Sequence, residues 1–338
     1  MLGPILGLAL FSSFALSAEN PPRETAFQEN FYGVEIRGNR SWIVGYYGTI
    51  LYSGDKGAAW KIQQSKTRRA LFRADFISDE KGWISGSYGT ILHTEDGGKS
   101  WTPQPSGTEE HLFGINFINE REGWAVGSRG IILHTSDGGR SWLNHSVGED
   151  VILNSVSFVA PDRGWAVGEF GVIYHTKDRG KSWTKQRSPI EVSFVSGETR
   201  NLFSLLFPNS KEGWAFGLDG VILKTQNGES WEIARKNGAS GGPTTSHHLF
   251  GAAHFDGGIW AVGERGTVIL SRTGKGNWER AEVSAPAVSL NSIAFGPDGF
   301  GLIVGNRGLV LRTFDGGKRW SRIRTVSQGA GKEMGRIP

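Results

Sequence analysis

Four aspartates, Asp96, Asp137, Asp178 and Asp315, recur in one string, T-x-D-x-G-x-x-W, and a fifth, Asp55, stands in S-G-D-K-G-A-A-W. A turn carboxylate beside glycine can ligate a metal or move a proton. Calcium takes roughly six to eight oxygens, and one carboxylate per turn falls short, so no metal is expected. Proton transfer needs groups that converge at one place, and copies spread along the chain cannot all converge. The expected role is therefore structural: Asp accepts hydrogen bonds from the turn N–H groups, and the glycines take backbone angles closed to other residues. Asn227 and Thr273 hold the equivalent place in two further copies.

Other groups with chemical potential are fewer. Glu35 and Asp75 occupy equivalent places in consecutive units, and two neighbouring carboxylates suit acid–base work or a cation; solvation in a central channel is the expected state. His93, His134 and His175 recur before the aspartate turn as strand residues. His247 and His248 lie in an inserted joint, where no metal is expected.

The elements that must position these groups repeat. With the first glycine of V-G-x-x-G as ruler, the copies fall at Gly45, Gly86, Gly127, Gly168, Gly217, Gly263 and Gly305. The first three steps are 41 residues each and the later ones 49, 46 and 42. Each unit carries four short runs of β-branched and aromatic residues bounded by glycine, which predicts four antiparallel strands, A to D. Units of this length cannot bury their faces alone and must pack into one closed array. All 13 tryptophans fall on repeat positions: Trp42, Trp83, Trp124, Trp165, Trp214 and Trp260 in strand B, and Trp60, Trp101, Trp142, Trp183, Trp231, Trp278 and Trp320 at the start of strand D. Leu302 takes the strand B place in the seventh unit. Indoles at fixed register predict packing between stacked sheets.

The 338 residues contain no cysteine, which excludes disulfides, a lipoprotein anchor and Cys-ligated metal. The net charge of +4 without a basic run or nucleic-acid motif gives no reason to expect nucleic-acid binding. Residues 1–18 hold an apolar run followed by Ala15, Ser17 and Ala18, the pattern of a signal peptide, although no Lys or Arg precedes it. Export is the expectation. The array is expected over 27–326, followed by a disordered tail, 327–338.

The T-x-D-G-G-x-S-W string is similar to the Asp-box of sialidases and other propellers. The compound pattern, G-W-A-V-G followed by G-x-I-L-x-T-x-D-G-G-x-S-W, resembles the photosystem II stability and assembly factor family over about residues 27 to 326. That resemblance implies an all-β fold, a seven-bladed β-propeller with four antiparallel strands per blade. It also implies a monomeric, exported, non-enzymatic helper of the periplasm or thylakoid lumen, without cofactor, that binds membrane-protein intermediates during complex assembly. The partner would be photosystem II-like in a photosynthetic host.

In a propeller the B–C and D–A connections share one face and the A–B and C–D connections the other. The V-G-x-x-G element is then a B–C hairpin with its middle pair on the first face: Tyr46-Tyr47, Ser87-Tyr88, Ser128-Arg129, Glu169-Phe170, Leu218-Asp219, Glu264-Arg265 and Asn306-Arg307. Arg and aromatic residues are enriched in protein interfaces, so Arg129, Arg265, Arg307, Tyr47, Tyr88 and Phe170 are the expected partner-binding residues. The longer joints, Thr184 to Asn201 and Glu232 to His248, are expected on the same face. The rival readings are a glycan-binding lectin-like propeller and a sialidase-like glycoside hydrolase. The latter calls for six blades and an arginine triad, whereas this chain has seven units, and its Arg336-Ile337-Pro338 lies at the wrong end.

Overall fold

The computed structural model describes residues 29–192, 200–235, 247–274 and 277–325. Seven four-stranded antiparallel sheets are each built from four consecutive strands, so the ring closes without strand exchange. The signal-peptide and tail expectations lie outside the described residues. Strands A are neighbours around the axis, and Leu290–Phe295 of blade 7 packs against Phe31–Arg37 of blade 1. In blade 3 the strands run Leu112–Phe117, Gly123–Gly127, Ile132–Thr135 and Leu143–Asn144. Strand B is buried at every position because sheets cover both its faces, which is why its sequence runs apolar instead of alternating. Strand D is short and exposed; Lys61, Lys185, Arg280 and Arg322 occur on these outer edges, where charge opposes edge-to-edge pairing. The tryptophan expected to start strand D sits in the turn just before it, and both longer joints begin as strand D, at Thr184–Gln186 and Glu232–Arg235.

Blade-to-blade packing explains the tryptophan register. In the first four blades the strand B indole stacks on the phenylalanine at the end of strand A in the next blade: Trp42 on Phe76 at 3.8 Å, Trp83 on Phe117 at 3.6 Å, Trp124 on Phe158 at 3.4 Å and Trp165 on Phe207 at 4.2 Å. The same phenylalanines meet Trp101, Trp142, Trp183 and Trp231 edge-on. These four indole N–H groups also donate across the interface to a carbonyl of the next blade's C–D turn: Gly97, Gly138, Arg179 and Gly228, at 2.9–3.1 Å. The recurring histidines stack on the other indole face, His93 on Trp83, His134 on Trp124 and His175 on Trp165. They are packing residues.

Three interfaces depart from this pattern: between blades 6 and 7 Trp260 meets Phe295 tilted, at 5.5 Å, and the other two each have a cation in compensation. Leu302 of blade 7 has no side-chain N–H, and its cross-strand neighbour Arg312 donates instead to the carbonyls of Lys56 (3.4 Å) and Gly57 (2.8 Å) of blade 1. In blade 5, Trp214 faces a blade whose strand A carries His254 in place of phenylalanine; its neighbour Lys224 lies over the indole at 5.1 Å and reaches the Gly274 carbonyl. The closing contact between blades 7 and 1 is completed by the Lys56–Asp298 ion pair and by an apolar cluster joining Phe31, Ile43 and Trp60 to Phe300, Leu302 and Val310.

The aspartate turns are closed on themselves. Asp137 accepts from Thr135 Oγ1 (2.8 Å), Ser141 N–H (3.0 Å) and Ser141 Oγ (2.6 Å), while Gly139 N–H donates to Thr135 Oγ1. Asp55, Asp96, Asp178 and Asp315 repeat this bonding, and Asn227 accepts from the N–H groups of Glu229 and Ser230. At Asp137 desolvation pushes the pKa up, but the Ser141 and Thr135 hydrogen bonds outweigh it and hold the carboxyl at about 2. Asp137→Ala is therefore expected to lower stability by about 1–2 kcal/mol, the range for a lost turn acceptor. A carboxyl with a depressed folded pKa stabilises above its unfolded value, about 3.9, and that contribution fades as pH falls toward 2. Denaturation at pH 7 and at pH 2 checks this: the deficit of the variant should shrink in acid, and a deficit independent of pH would contradict the bonding described.

Candidate functional site on the hairpin-tip face

The B–C hairpins share one geometry. In blade 1, Gly45 N–H donates to Thr49 O, Thr49 N–H to Tyr46 O, and Tyr46 N–H to the carbonyl of Asn30 at the foot of strand A. Close approach makes the leading glycine obligatory: a Cβ on Gly127 would overlap the His111 carbonyl oxygen. The second tip residue is left-handed in all seven blades, Tyr47, Tyr88, Arg129, Phe170, Asp219, Arg265 and Arg307 having φ between 53° and 57°. A non-glycine residue held there costs of order 1 kcal/mol, and glycine would avoid that cost. Seven consecutive tips nonetheless carry a side chain.

The structure sorts the sequence candidates. Tyr47 (49 % exposed) and Tyr88 (57 %) face solvent, together with Tyr46 (53 %). Arg265 and Arg307 are exposed. Arg129 is 75 % exposed but pairs with Glu110 at 3.5 Å. Phe170 packs against the apolar cluster that includes Val151 and Tyr174 and is half-buried.

Sequence reasoning passed over Arg68 and Arg69. They lie in the joint from blade 1 to blade 2, where the Arg68 guanidinium sits 5.6 Å over the Tyr47 ring and that of Arg69 sits 5.7 Å over Tyr88. Arg69 Nη1 also donates to the Tyr88 carbonyl at 2.7 Å. Among the described residues neither arginine pairs with a carboxylate, and exposed Lys66 stands beside them. The signal was present in the run Lys66-Thr67-Arg68-Arg69. Cation–aromatic stacking thus builds a basic, aromatic arc over blades 1 and 2, flanked by Arg307 and Arg129. Blades 4 to 6 are acidic by contrast: Glu169 accepts the Ile152 N–H, Lys185 is shared by Glu149 and Glu191, and Asp219 and Glu264 flank His248. Arg265 stands next in the chain to Glu264, and its blade neighbours the one that carries Arg307.

The remaining candidates serve the scaffold. His247 Nδ1 lies 2.7 Å from Thr267 Oγ1, and His248 Nδ1 accepts the Asp219 N–H at 3.1 Å. In the channel, Asp75 is not simply solvated: it accepts the Phe117 N–H on the free inner edge of blade 3. Asn116, Ser155 and Ser292 cap the next inner edges in the same way, at Phe158, Leu205 and Val34. Glu35 pairs with Arg37 at 3.5 Å. Burial pushes both carboxyls up, and at Glu35 the Asp75 carboxylate adds to the rise while Arg37 and Arg73 oppose it.

Ring, turns and tips together define a seven-bladed β-propeller of BNR-type repeats that presents its most varied side chains on one face. The chain belongs to the photosynthesis system II assembly factor YCF48 family, whose model matches residues 58–149, 105–193 and 249–335, about two thirds of the sequence. Among solved structures, it is similar to "YCF48 bound to D1 peptide" (19% identity, 86% of this chain and 93% of that one, TM-score 0.67). It is also similar to YCF48 from Cyanidioschyzon merolae (20% identity, 86% and 96%, TM-score 0.66). A xyloglucanase of Xanthomonas campestris matches at 12% identity over 90% of this chain but only 56% of the enzyme (TM-score 0.67). No curated protein matches by sequence.

Proposed function

We propose that the hairpin-tip face is a non-catalytic docking surface for an extended acidic or amphipathic segment of a membrane-protein partner, held during assembly of a membrane complex. The protein acts as an exported monomer, in the periplasm or, in a photosynthetic host, the thylakoid lumen. The observation that carries this reading is the arc of exposed Tyr46, Tyr47 and Tyr88 braced by Arg68 and Arg69, which pair with no carboxylate among the described residues. Aromatic rings supply rigid apolar area, and guanidinium groups bond carboxylates in a fork while packing flat. Left-handed tips that keep side chains at a conformational cost support the same reading, as does family membership together with a similarly folded YCF48 bound to a D1 peptide. Stacked arginines cover one face of Tyr47 and of Tyr88, which favours a charged peptide over a sugar ring.

The test is capture of partner from solubilised membranes of the source organism by immobilised protein. Reversing Arg129, Arg265 and Arg307 to Glu should leave the melting temperature nearly unchanged, because exposed substitutions fall within about 0.5 kcal/mol. Capture should weaken, and wild-type capture should fall as salt rises. Equal capture by both proteins at low salt would contradict this placement of the tip arginines.

A further inference from the structure

The strained tips are not all held alike. At three of them the N–H of the left-handed residue is capped by a side chain of the next blade: Tyr88 N–H donates to His111 Nδ1 (3.2 Å), Asp219 N–H to His248 Nδ1 (3.1 Å) and Arg307 N–H to Asn30 Oδ1 (3.2 Å). His111, His248 and Asn30 occupy the same place, one residue before strand A. An imidazole accepts at Nδ1 only when that nitrogen carries no proton, and the backbone N–H leaves no ambiguity about which partner donates. Each of these two hydrogen bonds thus requires the neutral ring with its proton on Nε2. Asparagine performs the same task with no titratable group.

We propose that His111 and His248 are acid-sensitive latches on the docking face: protonation turns each acceptor into a donor and releases the tip it holds. Imidazolium has N–H at both nitrogens, so no rotation of the ring restores an acceptor to Tyr88 or Asp219. At His111 the ring meets Tyr88 edge-on at 4.7 Å and lies 6.0 Å from Phe113. The charged groups around it are Glu109 and Glu110, which precede it in the chain, Arg129 paired to Glu110, and Arg69 across Tyr88. Release of Tyr88 also moves the carbonyl that Arg69 grips, so the stacked Arg69–Tyr88 pair is lost as a unit. The positive charge gained is exposed to screening and to Glu110, and it does not replace that geometry. At His248, Asp219 Oδ1 and Glu264 Oε2 lie 3.8 and 3.9 Å from the ring nitrogens, Phe250 packs edge-on, and His247 is tied to Thr267. Protonated His248 gains those two carboxylates, so its tip rearranges around an ion pair. Histidine titration falls in the pH 5–8 range, and the inferred effect is weaker capture on acidification. This effect on capture rests on the docking face proposed above; the latch itself does not.

The experiment is amide hydrogen exchange of the intact protein, resolved to single residues, at pH 7.5 and 5.5. After correction for intrinsic rates, protection of the Tyr88 and Asp219 amides should fall at least tenfold in acid, while Arg307, capped by Asn30, serves as an internal reference and stays constant. His111→Asn should abolish the fall at Tyr88, and His111→Ala should leave Tyr88 poorly protected at both pH values. Nitrogen-15 shifts of His111 at pH 7.5 should report an unprotonated Nδ1. Constant Tyr88 protection in wild type, or an equal fall in His111→Asn, would overturn the latch. A confirmed latch whose opening leaves partner capture unchanged would instead count against the docking face.

Discussion

Trp124→Ala is expected to lower the stability of the whole ring by about 3–5 kcal/mol, the range for deleting a buried tryptophan. The indole is fully buried, stacked on Phe158 at 3.4 Å and on His134 at 5.1 Å, and its N–H donates to Arg179 O at 3.1 Å. Truncation opens a cavity between blades 3 and 4 and leaves a turn carbonyl without its donor, and each loss is destabilising. Trp214→Ala should cost less, because its interface has no stacked phenylalanine and Lys224 already serves the facing carbonyl. Since every blade is buried between two others and blades 7 and 1 meet without a shared sheet, unfolding should remain one cooperative transition. Urea denaturation followed by tryptophan fluorescence and circular dichroism checks this. Equal losses for the two variants, or separate transitions by the two probes, would contradict the interface described.

The architecture was legible because its signals are local and repeated. Glycine and tryptophan at a fixed period give unit number, strand order and the face on which each hairpin emerges, and Leu302 already marked the irregular blade. What replaces its N–H was not legible, because Arg312 is its neighbour only through strand register. The docking residues were legible in part. Tip positions follow from the hairpin motif, but pairing does not: Glu110, which engages Arg129, belongs to a joint, and Phe170 turns back into a crevice that no periodicity reveals. Arg68 and Arg69 were missed because joints carry no repeat signal, and only the fold lays them on the rings of Tyr47 and Tyr88. Asp75 looked like a possible acid for the same reason: the edge N–H it caps belongs to another blade.

The largest effect on binding is expected from Arg68→Glu combined with Arg69→Glu. Both guanidinium groups are free of carboxylates among the described residues and held over aromatic rings, so they meet a partner with little reorganisation. Reversal removes two attractive charges, introduces two repulsive ones and unseats the stacked pairs. Capture should fall at least tenfold, equivalent to about 1.4 kcal/mol, and by more than in the variant reversed at Arg129, Arg265 and Arg307. Of those three, Arg129 is already paired. The melting temperature should hold within about 2 °C, because both side chains are exposed. Quantitative capture at matched protein loading checks the ranking, and a larger loss in the triple variant would reverse it.

The central claim is that one face of this propeller, and not the other, meets the partner. Site-specific photo-crosslinking tests it most directly. A photoreactive amino acid is placed in turn at Tyr47 and Tyr88 on the hairpin-tip face and at Lys99 and Arg140, exposed on the aspartate turns of the opposite face. Each protein is irradiated in solubilised membranes of the source organism. Crosslinks to a common membrane-protein partner from Tyr47 and Tyr88, absent from Lys99 and Arg140, are the predicted result; crosslinks to that partner from the aspartate-turn face alone would contradict the account.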